Sequence, residues 1–158
     1  MSERLIFEIF NAARAGDDAF LKANIGNLEN VDIRDSRGYT PLMIAAYNGN
    51  YQAAKILIEA GADVNAQDSG GNTALMGVCF KGYSEIAELL IRNGADINLQ
   101  HGNGGTALMF ATLFGRNELV KVVLRYGANT DIRDSRGLTA LDLAVQQGNT
   151  EAVSLLSR

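Results

Sequence analysis

Residues 40–49 read Thr-Pro-Leu-Met-Ile-Ala-Ala-Tyr-Asn-Gly, and this outline returns three times. Residues 73–82 read Thr-Ala-Leu-Met-Gly-Val-Cys-Phe-Lys-Gly, residues 106–115 read Thr-Ala-Leu-Met-Phe-Ala-Thr-Leu-Phe-Gly, and residues 139–148 read Thr-Ala-Leu-Asp-Leu-Ala-Val-Gln-Gln-Gly. The step is 33 residues each time. Leu42, Leu75, Leu108 and Leu141 keep it, as do three glycine series: Gly16/Gly49/Gly82/Gly115/Gly148, Gly38/Gly71/Gly104/Gly137 and Gly61/Gly94/Gly127. Several markers at one period of this size are the signature of stacked repeats.

Each unit reads as two helices and a turn. In the unit 68–100, Thr73 precedes Ala-Leu-Met and is placed to cap a helix, because its hydroxyl accepts from an unpaired backbone N–H. That helix runs to about Lys81, and Gly82 ends it in the left-handed conformation open to glycine. A second helix follows, with Ile86, Ala87, Leu89 and Leu90 on one stripe, and Gly94 ends it. The segment Asp68-Ser69-Gly70-Gly71, which opens the unit, reads as a β-hairpin tip.

Thr40-Pro41-Leu42-Met43-Ile44-Ala45-Ala46, then Gly49, then Gly61-Ala62-Asp63-Val64-Asn65, resembles the ankyrin repeat. The resemblance implies a mostly α-helical solenoid of about five helix-turn-helix units with β-hairpin tips. Its divisions are an N-terminal cap at 1–34, full repeats at 35–67, 68–100 and 101–133, and a C-terminal cap repeat at 134–158. The cap is degenerate: Gly16 is in register, but Leu28 stands where later units have glycine. The family's Thr-Pro-Leu-His segment carries Met43, Met76, Met109 and Asp142 in place of histidine here. Packing of the methionines is then expected to replace that histidine's hydrogen bonds. Glu3, Arg4, Glu8, Asp17, Asp18 and Lys22 at one end, and Asp142, Gln146, Gln147, Ser154 and Ser157 at the other, suit terminal units with polar outer faces. The expectation is a whole small protein of one domain.

Composition excludes several classes. The chain has 158 residues, 47% hydrophobic and 20% charged, enough to build a core. The formal net charge of −4 argues against general attraction to nucleic-acid phosphates. One cysteine excludes an intrachain disulfide and suits a reducing, cytoplasmic location. No apolar run approaches the roughly 18 residues of a membrane span. Glu3 and Glu8 near the start, without a basic segment and long apolar stretch, argue against a secretory signal.

Catalytic or ligand chemistry has few candidates. Cys79 occupies the position of Ala46, Thr112 and Val145, on the buried side of its helix. A nucleophilic thiol needs a base within reach, and the single histidine, His101, lies on a tip one junction later. His101 replaces the aspartate of the other tips, Asp35, Asp68 and Asp134, and reads as a solvated turn residue. Asp63-x-Asn65 and Asp96-x-Asn98 lack the ligand spacing and closing glutamate of a calcium loop and read as turn formers. The glycines fall at helix ends rather than clustering into a phosphate loop. No cofactor and no metal is expected.

What remains is surface. The resemblance assigns partner-reading positions to tip residues and to the pair before the mid-repeat glycine: Arg37, Tyr39, Tyr47, Asn48, Asn72, Phe80, Lys81, Leu113, Phe114 and Arg136 on one concave face. With helices roughly 8–10 Å apart, Tyr47, Phe80, Leu113 and Phe114 would form a stripe of about 20–30 Å. Aromatic and arginine side chains carry much binding energy. The alternative is that these rings fold back onto the tips and thicken the core. The outer helices alternate Lys55, Glu59, Glu85, Glu88, Arg92, Glu118, Lys121 and Arg125, an ordinary solvated face.

The reading that follows is a non-catalytic module, monomeric when free, that binds one folded protein and acts by occupancy. Inhibition or sequestration, of the antitoxin or immunity type, is favoured over an adaptor that bridges two proteins. Competing readings are an enzyme or ligand-binding protein using Cys79 or His101, nucleic-acid binding through basic tips, and self-association through the aromatic stripe.

Overall fold

The computed structural model describes residues 2–158; Met1, the first residue of the segment read as the cap, lies outside the described residues. Ten α-helices among the described residues form five successive pairs: α1 (Glu3–Ala15) with α2 (Asp18–Asn24), α3 (Pro41–Tyr47) with α4 (Tyr51–Glu59), α5 (Ala74–Lys81) with α6 (Ser84–Arg92), α7 (Ala107–Leu113) with α8 (Asn117–Arg125), and α9 (Ala140–Gln147) with α10 (Thr150–Leu156). The first helices pack in order α1–α3–α5–α7–α9 as an inner layer, and the second helices in order α2–α4–α6–α8–α10 as an outer layer.

The threonines start the inner helices as their sequence position requires. Thr40, Thr73, Thr106 and Thr139 accept the N–H of the residue three on, at 3.2–3.3 Å. The first three are buried, so each hydroxyl depends on that bond to offset its desolvation. The residue in the histidine's place adds to the cap. The Met76 sulfur accepts from the Thr73 amide at 3.4 Å, and the Asp142 carboxylate accepts from the Thr139 amide at 2.9 Å. Gly82 ends α5 at φ 90°, and its amide donates to the Val78 carbonyl at 2.7 Å.

Leucines of the repeat form the core. Leu42, Leu75 and Leu108 of the inner layer and Leu57 and Leu90 of the outer layer are buried, each worth about 1.5–3 kcal/mol of transfer free energy. Met43, Met76 and Met109 are buried as well. Leu141, the fourth of its series, is only half-buried. It lies on α9, which has α7 on one flank and none of the described helices on the other.

The tips keep a hairpin outline but form no strand among the described residues. Each closes with two backbone bonds. In the first, the Asp35 amide donates to the Tyr39 carbonyl and the Gly38 amide to the Asp35 carbonyl, both at 3.0 Å. The Asp35 carboxylate takes the amides of Arg37 and Tyr39, which a ladder would otherwise use. Asp68 and Asp134 repeat this arrangement.

Hydrogen bonds also tie each unit to the next. The Ser69, Gly102 and Ser135 amides reach the carbonyls of Arg37, Gly70 and Asn103 at 2.9–3.1 Å. Arg34, Gln67 and Gln100 reach the carbonyls of Gln67, Gln100 and Arg133. The Asp63-x-Asn65 segment proves to be part of this frame. Asp63 takes the Asn65 amide at 2.8 Å, and the Asn65 side chain bridges to the Asp96 amide and the Gly94 carbonyl.

Candidate functional site

The inner helices and tips present one face, and its centre is aromatic. The Tyr47 and Phe80 rings stack with centroids 6.1 Å apart and planes 10° apart. Phe80 meets Phe114 edge-on at 4.5 Å. Tyr47 and Phe80 occupy equivalent positions on α3 and α5, whereas Phe114 lies one residue later in its unit and reaches Phe80 from the end of α7. Tyr47 and Phe114 are 45% and 47% exposed, and Phe80 between them is half-buried. Edge-to-face and offset-stacked rings gain about 0.5–1.5 kcal/mol beyond burial, so the three rings support one another while leaving apolar surface in water.

Phe80 is held from below. The Arg116 Nε–H donates to the Phe80 carbonyl at 3.0 Å, at the carbonyl end of α5. A cation there complements the helix dipole. At the end of α1 the uncharged Asn50 side chain donates to the Ala13 and Arg14 carbonyls at 2.9 and 3.0 Å.

Beside the stripe, between α3 and α5, lies a groove of about 390 Å³. Met43, Met76 and Ala74 contribute to its lining, with Tyr47 and Phe80 towards the helix ends, Arg37, Tyr39 and Asn72 from the tips, and Phe110 from α7. One lining residue departs from the repeat. The position occupied by Ile44, Phe110 and Leu143 in the other units is Gly77 in α5. A Cβ there would lie 3.3 Å from Tyr47 Cδ1, so any side chain at 77 would enter the groove. Glycine inside a helix is about 0.5–1 kcal/mol less favourable than alanine. The chain thus forgoes both helix stability and an apolar side chain at this point.

Charge around the groove divides into carboxylates held by hydrogen bonds and cations outside any ion pair among the described residues. Asp35 and Asp68 are half-buried, and each carboxylate accepts two tip amides. Asn72 also donates to the Asp68 carboxylate. Arg37 is exposed, and the Lys81 ammonium sits 5.1 Å above the Tyr47 ring centroid. Among the described residues neither cation takes part in an ion pair. On the outer helices Arg125 and Arg92 both meet Glu88, and Lys121 meets Glu118 and Glu151, while Lys55, Glu59 and Glu85 take part in no ion pair among the described residues.

Other residues singled out from sequence are packed or paired individually. Tyr39 and Leu113 are half-buried and packed on the core, so for them the folded-back arrangement holds. Asn48 is engaged at its own helix end, donating to the Ile44 carbonyl at 2.7 Å. Arg136 pairs with Asp134 at 3.3 Å and lies by a second hollow of about 260 Å³ with Leu113, His101 and Phe110. Gly77 and Phe110 were not among the residues picked from sequence. The broken column Ile44, Gly77, Phe110, Leu143 is the signal that marks them.

Cys79 is fully buried, and burial pushes its thiol up to about 12. A thiol in that state is not a nucleophile at neutral pH. His101 lies on its tip with Nδ1 accepting the Gly105 amide at 2.8 Å and its ring edge-on to Phe110 at 5.0 Å. Ala46 and Thr112 are buried like Cys79, but Val145 is 61% exposed, on the same open flank of α9 as Leu141. Among the described residues no group of three or more His, Cys, Asp and Glu side chains is placed to hold a metal ion. No helix of the described residues is long and apolar enough to cross a membrane.

Comparison with known proteins agrees with this architecture. The family model for ankyrin repeats (three copies) matches residues 9–101 and 75–158. The chain is similar to ankyrin repeat domain-containing protein 29 of Danio rerio, 44% identical over 59 residues, which are 36% of this chain and 20% of the relative. It is similar to the Homo sapiens protein of the same name, 48% identical over 58 residues, or 35% and 19% of the two chains. The chain thus spans about a fifth of the length of these curated relatives. Ankyrin repeats are in general protein–protein interaction modules and typically non-catalytic. With its period, its paired helices and a match over most of its length, this chain belongs to the ankyrin repeat family.

Proposed function

We propose that this chain is a non-catalytic module that binds one folded protein on the face made by the tips and inner helices. The observation that carries the reading is the continuous row Tyr47–Phe80–Phe114, with exposed rings at both ends and a groove alongside. Exposed aromatic surface beside unpaired cations is what binding faces concentrate. A standard interface takes about 800 Å² from each partner. A preformed face loses little conformational freedom on binding.

Occupancy is the mode of action we favour. The stripe, the groove and the cations Arg37 and Lys81 lie together on one face, so one partner at a time fits better than a bridge between two. Inhibition or sequestration, the antitoxin or immunity type included, follows from covering that partner's working surface. Monomeric behaviour when free and a cytoplasmic setting, which suits the free Cys79 thiol, belong to the same proposal.

The test is affinity capture from the source cell, comparing the wild type with a folded Tyr47→Ala, Phe80→Ala, Phe114→Ala variant. The expected result is a protein retained by the wild type and lost by the variant. Equal retention by both would remove the binding site from this face. Full activity of the captured protein at saturation would rule out inhibition.

A further inference from the structure

Resting on that reading of the face, we propose that the groove opened by Gly77 receives one apolar side chain of an extended acidic segment of the partner. The other units define what is missing. Ile44, Phe110 and Leu143 stand at the equivalent position, so the groove opens where the other units carry an apolar side chain, with the Tyr47 ring at its edge 3.3 Å from where a Cβ on Gly77 would lie. Methionines contribute to its lining, and their flexible thioethers adapt to whichever apolar side chain enters. Tyr47 and Phe80 border the opening towards the helix ends and exclude water around an inserted group.

Charge selects the flanking residues. The carboxylates beside the groove are held by tip amides, which leaves Arg37 on the tip side and Lys81 beyond Tyr47 as charged groups outside any ion pair among the described residues. Phe80 stands seven steps after Thr73, a rise of about 10 Å at 1.5 Å per residue. An extended peptide crosses that distance in about three residues. The anchor is therefore flanked closely on both sides by Asp or Glu. The net charge of −4 disfavours long-range attraction of an acidic chain, so recognition depends on these local contacts.

The test uses fluorescently labelled peptides of the pattern Glu-Glu-X-Glu-Glu, with X varied over all residues, and reads binding by fluorescence polarisation. Leu, Ile or Phe at X should bind at least tenfold more tightly than Ala or Ser. Gly77→Ile, which fills the groove, should weaken the best peptide at least tenfold while the circular dichroism spectrum and Tm hold or rise. Gly77→Ala supplies a smaller obstruction that preserves the fold if Ile does not, and it should weaken binding measurably. Arg37→Glu with Lys81→Glu should move preference from Glu-flanked to Lys-flanked peptides. No selection at X, or binding unchanged in both Gly77 variants, overturns the proposal. So does displacement of the peptide by a single-stranded oligonucleotide that binds the Gly77 variants as well as the wild type. If the ring variant loses the captured partner but Gly77→Ile keeps it, the face reading stands and the groove proposal falls. Retention of the partner by both variants removes the face reading itself.

Discussion

Gly105 donates its amide to Nδ1 of His101 at 2.8 Å, and a Cβ on Gly105 would stand 2.7 Å from Cε1 of the same ring. The two residues depart from the repeat together. Where the tip residue is Asp35, Asp68 or Asp134, the residue four on is Tyr39, Asn72 or Leu138. The imidazole is larger than a carboxylate and takes the space of the side chain it faces. It also accepts a single amide where Asp35 accepts two.

The pair should therefore behave as a unit under mutation. Gly105→Ala should destabilise the protein by about 1–3 kcal/mol, the usual range for overpacking. With His101→Asp in place the same change should have an effect within about 0.5 kcal/mol. Urea unfolding of the two single variants and the double variant measures the coupling. Additive effects would show that the apparent clash relaxes without consequence.

Gly77→Ala should raise stability. Helix propensity favours alanine by about 0.8–1.0 kcal/mol, and the nearest neighbour of the new Cβ is the Tyr47 ring, 45% exposed, at 3.3 Å. Thermal unfolding should show a Tm higher by several degrees. A lower Tm would mean that the Tyr47–Phe80 stack is too rigid to accommodate one methyl group.

Cys79 should be inert in the native protein. Its thiol titrates near 12 in the fold against an ordinary value of 9.0, so ionisation is disfavoured by folding. The stabilisation is complete below pH 9 and declines as pH rises from there towards 12. Ellman's reagent should label Cys79 only at the rate at which the structure opens, and at once in denaturant. Fast labelling at pH 7 under native conditions would place the thiol at the surface.

Acid should loosen the last unit. The Leu138 amide, ahead of the Arg136 contacts, holds the Asp134 carboxyl below its ordinary value, and the Thr139 amide and hydroxyl do the same for Asp142. Both groups are ionised in the fold at pH values where the unfolded chain begins to protonate. Their contribution is present above about pH 4 and is lost as pH falls through the lowered folded values. Asp142→Asn should reduce the slope of the urea midpoint against pH below about pH 4. An unchanged slope would show that the Asp142 cap contributes nothing to acid sensitivity.

Much of the architecture was legible because its causes are local. A threonine before an apolar run caps a helix, and a glycine after one ends it, whatever lies nearby. Repetition at 33 residues then fixes the stacking order, since no single pair of short helices buries its apolar face alone. Burial of Cys79 followed from its spacing on α5.

Contacts between units were decided only by the tertiary structure. Tyr39 and Tyr47 are the same residue type in one unit, yet Tyr39 packs on the core and Tyr47 remains in water. Phe114 is out of register with Phe80 and still meets it at 4.5 Å, because the end of α7 carries it across. Val145 shares its column with Cys79 but is exposed, since burial there depends on a neighbour that α9 lacks on one flank among the described residues. Gly77 makes the same point by omission. Its missing side chain becomes a groove only when Tyr47, Phe80 and Phe110, from three different helices, stand around the gap.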